Sequence, residues 1–226
     1  MRRAIENVGV LVLKSAAHRS FPREEARALS FTDETPYAIL INNKDSDGAK
    51  NFSLPHEYAH VLLRQAGICS DFAAVSVGRR VDPIEVFCNQ FASAFLVPER
   101  EFLSHSALVN VATVNKSALE QAVENLAMTF KVSRYVILRR LLTFGRISQG
   151  TYQESVERID AESPPIQRGG RTVPARVAVQ TNGTTFTRQV ISAFRSDRIS
   201  KAAAAEYLGT RSGYLNAVEN LLKKHG

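Results

Sequence analysis

The chain has 226 residues, of which 44% are hydrophobic and 23% charged, and its net charge is +7. This composition predicts a globular protein of one large domain, or of a medium domain with a small one, and excludes a largely disordered chain. No apolar run approaches the ~20 residues of a membrane-spanning helix, and no signal-peptide pattern is seen. Because two cysteines are too few for a disulfide framework, we expect a cytoplasmic protein.

The positive net charge leaves two interpretations open. A basic surface favours contact with nucleic acid or with an acidic partner, but a solvated basic surface without a partner is equally common. The arginines and lysines are spread along the chain, and no predicted helix carries a dense basic stripe. Charge alone therefore does not choose between these interpretations.

The first 48 residues contain two strand patterns. Residues 1–15 predict a short helix followed by a strand over Gly9–Lys14, and Tyr37–Asn42 is a second run rich in strand-forming residues. Between them, Pro22–Arg27 is typical of a first helical turn with proline near its start. Asn42–Gly48 is a polar turn cluster.

Two helices are predicted next. Leu54, Tyr58 and Val61 recur at helical spacing in a helix from about residue 50 to 65, which Gly67 would end. Residues 67–80 have the composition of a loop. Asp82-Pro83 then favours a new helix, with Asp82 as its cap and Pro83 in its first turn, and Pro98 closes it.

The remainder is predicted to be helical. From about 117 to 160 the pattern is that of helices separated by a turn, with Ser133 opening the second one. The Pro-, Gly- and Arg-rich stretch 161–175 is the best linker in the chain. Strands early and helices later predict an α+β fold with a small N-terminal antiparallel or mixed sheet. We therefore divide the chain into a core, a helix-turn-helix-like region, a linker and a small helical segment, at 1–115, 116–160, 161–175 and 176–226, the last with short helices near 186–194, 200–208 and 212–223.

The run His56-Glu57-x-x-His60 indicates a metal site. Two histidines four residues apart on a helix project from one face and suit two nitrogen ligands of one Zn²⁺. In such sites the glutamate after the first histidine acts as general base on the water that the metal activates. Glu57 is therefore the candidate catalytic residue, although a His-Glu-x-x-His run also arises on helices that bind no metal.

A catalytic zinc site needs a third protein ligand, for which Glu85 is the candidate. It follows His60 by 25 residues and lies on the next predicted helix. Asn89, one turn further on, is a candidate for holding the outer nitrogen of a ligand histidine. Cys88 is a possible ligand, but a small buried residue is the favoured interpretation. His105 is a weaker candidate, and His18 and His225 are expected at the surface.

These motifs resemble those of the ImmA/IrrE family of metallopeptidases. The resemblance is carried by Asn51-Phe-Ser-Leu-Pro-His-Glu-Tyr-Ala-His-Val-Leu-Leu63, by Glu85-Val-Phe-Cys-Asn-Gln-Phe-Ala and by the Leu-Val-Pro98 ending, with Ala38–Asn43 similar to the strand before the active helix. It covers roughly residues 5–150. The resemblance implies a zincin-like core with zinc, or Mn²⁺ as a substitute, held by His56, His60 and Glu85, and Glu57 as acid/base.

The resemblance also implies a substrate. Members of the family cleave helix-turn-helix repressors, so a nearby-encoded regulator or an antitoxin-like protein is the expected partner, without membrane contact. An N-terminal helix-turn-helix domain and a C-terminal sensor domain, which longer relatives carry, are not recognisable here. If the strand over Tyr37–Asn42 lies at a sheet edge, an extended peptide could pair with it; an internal strand is the alternative.

Two other functions stay open. The helices of 120–146, with Arg134, Arg139 and Arg140, form a possible DNA-binding helix-turn-helix, and the last helices form another. Helix pairs joined by short turns are, however, common packing units. A second alternative keeps the zinc but makes the protein a stable binder of a regulator, as in toxin–antitoxin pairs or mobile elements.

Overall fold

The computed structural model of the chain describes residues 1–15, 21–22, 25–69, 82–108, 116–162 and 173–224. Within these ranges the fold is α+β, with one small sheet near the N-terminus and helices throughout the remainder. No helix in the described ranges combines the length and the apolar character that crossing a bilayer requires.

The sheet has four strands in the order β1-β3-β2-β4. β1 pairs parallel with β3, whereas β2 pairs antiparallel with both β3 and β4, so the sheet is mixed, as predicted. Ile39 and Ile41 of β3 are buried beneath the helix that follows and contribute to its contact with the sheet. The strand bounds are Leu11–Lys14 (β1), Ala28–Phe31 (β2), Ala38–Ile41 (β3) and Gly67–Cys69 (β4).

The structure decides three expectations for this part of the chain. Of the two positions left open for the strand over Tyr37–Asn42, the internal one is observed, because β1 and β2 flank β3 on both sides. Part of the predicted loop 67–80 is strand β4, while 70–80 lie outside the described residues. Residues 22–27, expected to form a first helical turn, form in their described part a single turn in which the amides of Glu25 and Ala26 donate to the Pro22 carbonyl before the chain enters β2.

The helix α2 (Asp47–Leu63) is the central element of the N-terminal half. It begins three residues before the predicted start, since the Ser46 side chain accepts a hydrogen bond from the Ala49 amide and caps it. It ends before the predicted Gly67, because Arg64 adopts a left-handed conformation with φ of 53°. One side of α2 packs on the sheet and another on α3 (Pro83–Leu96), which Asp82 caps as predicted.

The helices that follow share one apolar core with α2 and α3. Phe102, Leu126 and Ile137 are fully buried in a cluster that also contains Phe52 of α2. The predicted division at residue 115 therefore does not coincide with a break in packing. These helices are α4 (Glu99–Leu103), α5 (Lys116–Phe130), α6 (Arg134–Thr143) and α7 (Gln149–Glu162).

The last four helices form a unit with its own apolar core. We call it the C-terminal unit: α8 (Pro174–Asn182), α9 (Thr184–Arg195), α10 (Lys201–Tyr207) and α11 (Leu215–Lys224). Its cluster contains residues from all four helices, among them Ala204, Leu208 and Val218. Of the predicted linker 161–175, residues 163–172 lie outside the described part of the chain.

The C-terminal unit contacts the sheet through α1 (Arg2–Asn7) and β1. The Arg2 guanidinium pairs with Glu6 at 3.1 Å and donates to the carbonyl oxygens of Val12, of Gln180 (2.6 Å) and of Thr181 (3.2 Å). Gly183, with φ of +78°, lies so close to Arg2 and Glu6 that a β-carbon would collide with both side chains. We call this set of contacts the α1–α8 junction.

Candidate metal centre

The helix α2 places the two histidines side by side in the interior. His56 and His60 are one turn apart, and only 1% and 2% of their surfaces are exposed. Their Nε2 atoms lie 3.3 Å apart. Two imidazole nitrogens thus face the same point, as the spacing in the sequence predicted.

Glu85, in the first turn of α3, completes a group of three ligand atoms. Its carboxylate oxygens lie 3.3 Å from Nε2 of His56 and 3.1 Å from Nε2 of His60. Atoms ~2.0–2.1 Å from a tetrahedral zinc ion are about 3.3 Å from one another, so all three separations fit one zinc. Among the residues that the structure describes, no other group of three potential ligands converges in this way.

Glu57 is a buried carboxylate without a partner. Its side chain has no exposed surface, and neither oxygen has a hydrogen-bond partner among the described residues. Burial raises the pKa of Glu57, against the opposing effect of the neighbouring His56. A buried carboxylate left unsatisfied costs folding free energy, so its retention beside two histidines points to a role with water or substrate.

Without a metal, the ligand side chains form an ion pair. Burial lowers the pKa of His60, but hydrogen bonds with Cys88 and Glu85 outweigh it and raise that pKa to about 10. Hydrogen bonds from His56 and His60 lower the pKa of Glu85 to about 2. A metal ion bound by the Nε2 atom of His60 at neutral pH would therefore have to displace a proton from that side chain.

The outer nitrogens of the two histidines are unsatisfied. Nδ1 of His56 and Nδ1 of His60 are buried and have no hydrogen-bond partner among the described residues. Asn89 is half-buried on α3, one turn after Glu85, but the hydrogen bond that we expected it to make to a ligand histidine is not present. The structure therefore places Asn89 on the expected helix without that contact.

Gly67 is a site residue that the sequence analysis missed. Its α-carbon lies against the His60 ring, because a β-carbon at this position would be 2.6 Å from the ring atoms Cγ and Cδ2. Its amide donates to the Ser30 hydroxyl at 2.9 Å, which ties β4 to β2. We interpreted this glycine as a helix terminator, and only its close approach to His60 reveals the other role.

The remaining candidates do not belong to the group of three ligand atoms. Cys88 is fully buried, in agreement with the favoured interpretation. His105 is half-buried against the Phe130 ring, outside the ligand group. Tyr58 is turned toward Phe91 of α3. His18 and His225 lie outside the described residues.

Comparison with known proteins gives one match. The family model described as Peptidase_M78, IrrE N-terminal-like domain, matches residues 6–142, which include the whole candidate metal centre. No curated protein and no solved structure matches the chain. The match ends within α6 and does not reach the C-terminal unit.

Proposed function

This chain belongs to the Peptidase_M78 family, and on that premise we propose that it is a zinc-dependent endopeptidase. The observation that carries the proposal is the set of separations of 3.1–3.3 Å between His56, His60 and Glu85. The unpartnered carboxylate of Glu57 beside them supports it further. Three protein ligands leave one position open, as in catalytic rather than structural zinc sites.

In the proposed mechanism the protein holds and moves one proton. His56, His60 and Glu85 would hold a zinc ion, which would supply Lewis acidity toward a peptide carbonyl and toward water. Glu57 accepts the proton of the attacking water and returns it to the nitrogen of the departing amine. Since neither Glu57 oxygen has a protein partner, both are available for these two transfers.

The packing of two helices holds the three ligands at their positions. His56 and His60 come from one helix and Glu85 from another, so metal affinity depends on the packing of α2 against α3. The aromatic contact between Tyr58 and Phe91 joins the same two helices. Ligand spacing is therefore fixed by helix packing, which favours a preorganised site.

For the substrate we propose a helix-turn-helix transcriptional regulator or an antitoxin-like protein. The support is the resemblance of the two ligand helices to those of ImmA/IrrE peptidases, which act on such repressors. In the alternative, the protein binds such a regulator without cutting it, and the regulator stays intact. Cleavage of the regulator therefore distinguishes the peptidase from the binding protein.

The test is incubation of the purified chain with the regulator encoded beside it, with zinc or with a chelator, read by intact mass. We expect two fragments with zinc and none with chelator. Glu57→Gln should keep its zinc and lose activity by about 10²–10⁴-fold, the usual contribution of a general base. Glu157→Gln, the same change at an exposed position of α7, is the matched control.

Two results would contradict the proposal. Undiminished cleavage by zinc-loaded Glu57→Gln would remove Glu57 from the mechanism. A regulator that stays intact but co-elutes with the zinc-loaded wild-type chain would establish the non-proteolytic alternative.

A further inference from the structure

The helices α10 and α11 have the arrangement of a helix-turn-helix. The four residues Leu208–Arg211 separate α10 from a short 3-10 turn at Ser212–Tyr214, which leads directly into α11. Gly209 lies in this connection with φ of +59°, a conformation that favours glycine. A short turn containing glycine between two such helices is typical of the DNA-binding motif.

The buried residues of this pair follow the i, i+3/i+4 spacing of amphipathic helices. Both helices pack against α9, and α11 also packs on α8. Ala204 and Val218 have no exposed surface, and Leu208 has 1%. The inward-facing residues are Ala204, Ala205, Leu208, Leu215, Val218 and Leu222.

The opposite side of α11 and of the turn before it is exposed. Ser212, Ala217 and Asn220 all lie on this surface, together with Arg211 and Asn216. We call the exposed residues between Arg211 and Lys224 the reading face. Its side chains are short or polar, which lets a helix approach another molecule closely.

The charge of the C-terminal unit suits a polyanion. Residues 173–224 contain eight lysines and arginines but only three acidic residues, a net charge of +5, out of +7 for the whole chain. Lys201 and Arg211 lie at the beginnings of the two helical segments, and Lys223 and Lys224 at the end of α11; all four are exposed. One of the acidic residues, Glu219, is already paired with Arg195 and Lys223.

The other helix pair that we considered, α5 and α6, uses its arginines internally. Arg140 is buried and donates to the Val97 carbonyl at 2.8 Å. Arg134 pairs with Glu162 at 3.0 Å, and Arg139 lies over the Tyr152 ring. Arg140 thus contributes to the core, and Arg134 and Arg139 are engaged in contacts with α7, so the DNA-binding interpretation of residues 120–146 has no support in the structure.

We propose that the C-terminal unit binds duplex DNA, with the reading face in the major groove. A helix fits that groove, and in such motifs the residues at the start of the second helix contact base edges. Asn220 and Ser212 carry donors and acceptors for this purpose; the Asn216 oxygen accepts from Arg195 at 3.1 Å, which orients its amide. Arg211 and Lys224 contact phosphates.

The experiment measures binding of the full chain to a fluorescent mixed-sequence duplex of about 30 base pairs by anisotropy, between ~50 and ~200 mM salt. We expect a dissociation constant of about 10⁻⁴–10⁻⁶ M, which rises steeply with salt. Ala217→Glu places a negative charge on the reading face and should weaken binding at least about tenfold, since it repels phosphates. Ala161→Glu, the same change on an exposed position of α7, should not.

A second variant examines the phosphate contacts. Arg211→Ala should reduce the slope of log affinity against log salt by about 0.9, the effect of one lost phosphate contact. Absence of binding at the lowest salt overturns the proposal, as does an equal loss in the two glutamate variants. A reading face that captures the regulator protein but no DNA, with capture blocked by Ala217→Glu, overturns it in favour of a protein partner.

Discussion

The candidate metal centre and the α1–α8 junction both bury a carboxylate, but the two carboxylates differ in their hydrogen bonding. At the junction, the Glu6 carboxylate is paired with Arg2 and lies within 3.5 Å of the Thr184 and Thr185 hydroxyls. At the metal centre, neither Glu57 oxygen makes a hydrogen bond of normal length to a described residue, although His56 and Ser30 are close enough to lower its pKa against the larger effect of burial. Both carboxylates are nearly or fully inaccessible, at 6% and 0% exposure.

This difference separates structural from functional polar groups. A satisfied buried pair fixes the geometry of an interface, whereas an unsatisfied carboxylate lowers stability unless a ligand or water completes it. The comparison predicts that substitutions at the two carboxylates change the free energy of unfolding in opposite directions.

The largest effect is expected at the junction. Glu6→Ala leaves the Arg2 guanidinium without its counter-charge and should lower the free energy of unfolding by about 3 kcal/mol. Urea unfolding measures this. Glu162→Ala removes an exposed partner of Arg134 and should change stability by less than about 1 kcal/mol. Equal effects of the two substitutions would show that the junction is not a structural ion pair.

The next effect concerns the close contact behind His60. Gly67→Ala adds a methyl group where the His60 ring already lies, so the ring must move and zinc affinity should fall by about 10–100-fold. Competition with a chromophoric chelator measures the affinity. At Gly150, in a helix, an added β-carbon would meet only Ser148 Oγ at 3.8 Å, an ordinary contact, so Gly150→Ala should leave zinc affinity unchanged. Wild-type affinity in Gly67→Ala would contradict the positioning role.

The smallest expected effect is an increase in the free energy of unfolding when Glu57 is replaced. Glu57→Leu replaces an unpartnered buried carboxylate by an apolar side chain of similar length and should stabilise the metal-free protein by about 1 kcal/mol while abolishing cleavage. Thermal unfolding of the metal-free variants measures it, and Glu6→Leu is the control, for which a loss is expected. If Glu57→Leu were also destabilising, Glu57 would be a satisfied structural group after all.

The sequence predicted the parts of the site that depend on one helix. His56 and His60 lie side by side because their spacing alone determines it, and Asp82-Pro83 predicted the start of the helix that carries Glu85. The sequence left open whether β3 is an edge or an internal strand, because strand order depends on β2 and β4, which it did not predict. These two strands are short, contain Ser30 and Gly67, and have no clear local pattern.

Gly67 shows more clearly which contacts the local sequence does not predict. In sequence it has the properties of a helix terminator, yet Arg64 ends that helix and Gly67 enters a strand. Its contact with His60 arises only when β4 folds back beside α2. Close approaches of this kind are determined by tertiary packing and leave no periodic signal in the chain.

The Arg2 guanidinium also closes one side of the sheet. The Val12 carbonyl points away from β3, because β1 pairs with β3 through the amides of Leu11 and Ser15. Arg2 donates to that carbonyl, and α8 lies alongside the strand. An uncovered strand edge is a template for association between chains. The C-terminal unit thus covers the outer edge of β1. A chain shortened after α7 would leave this edge accessible, and copies of the chain could then pair through it.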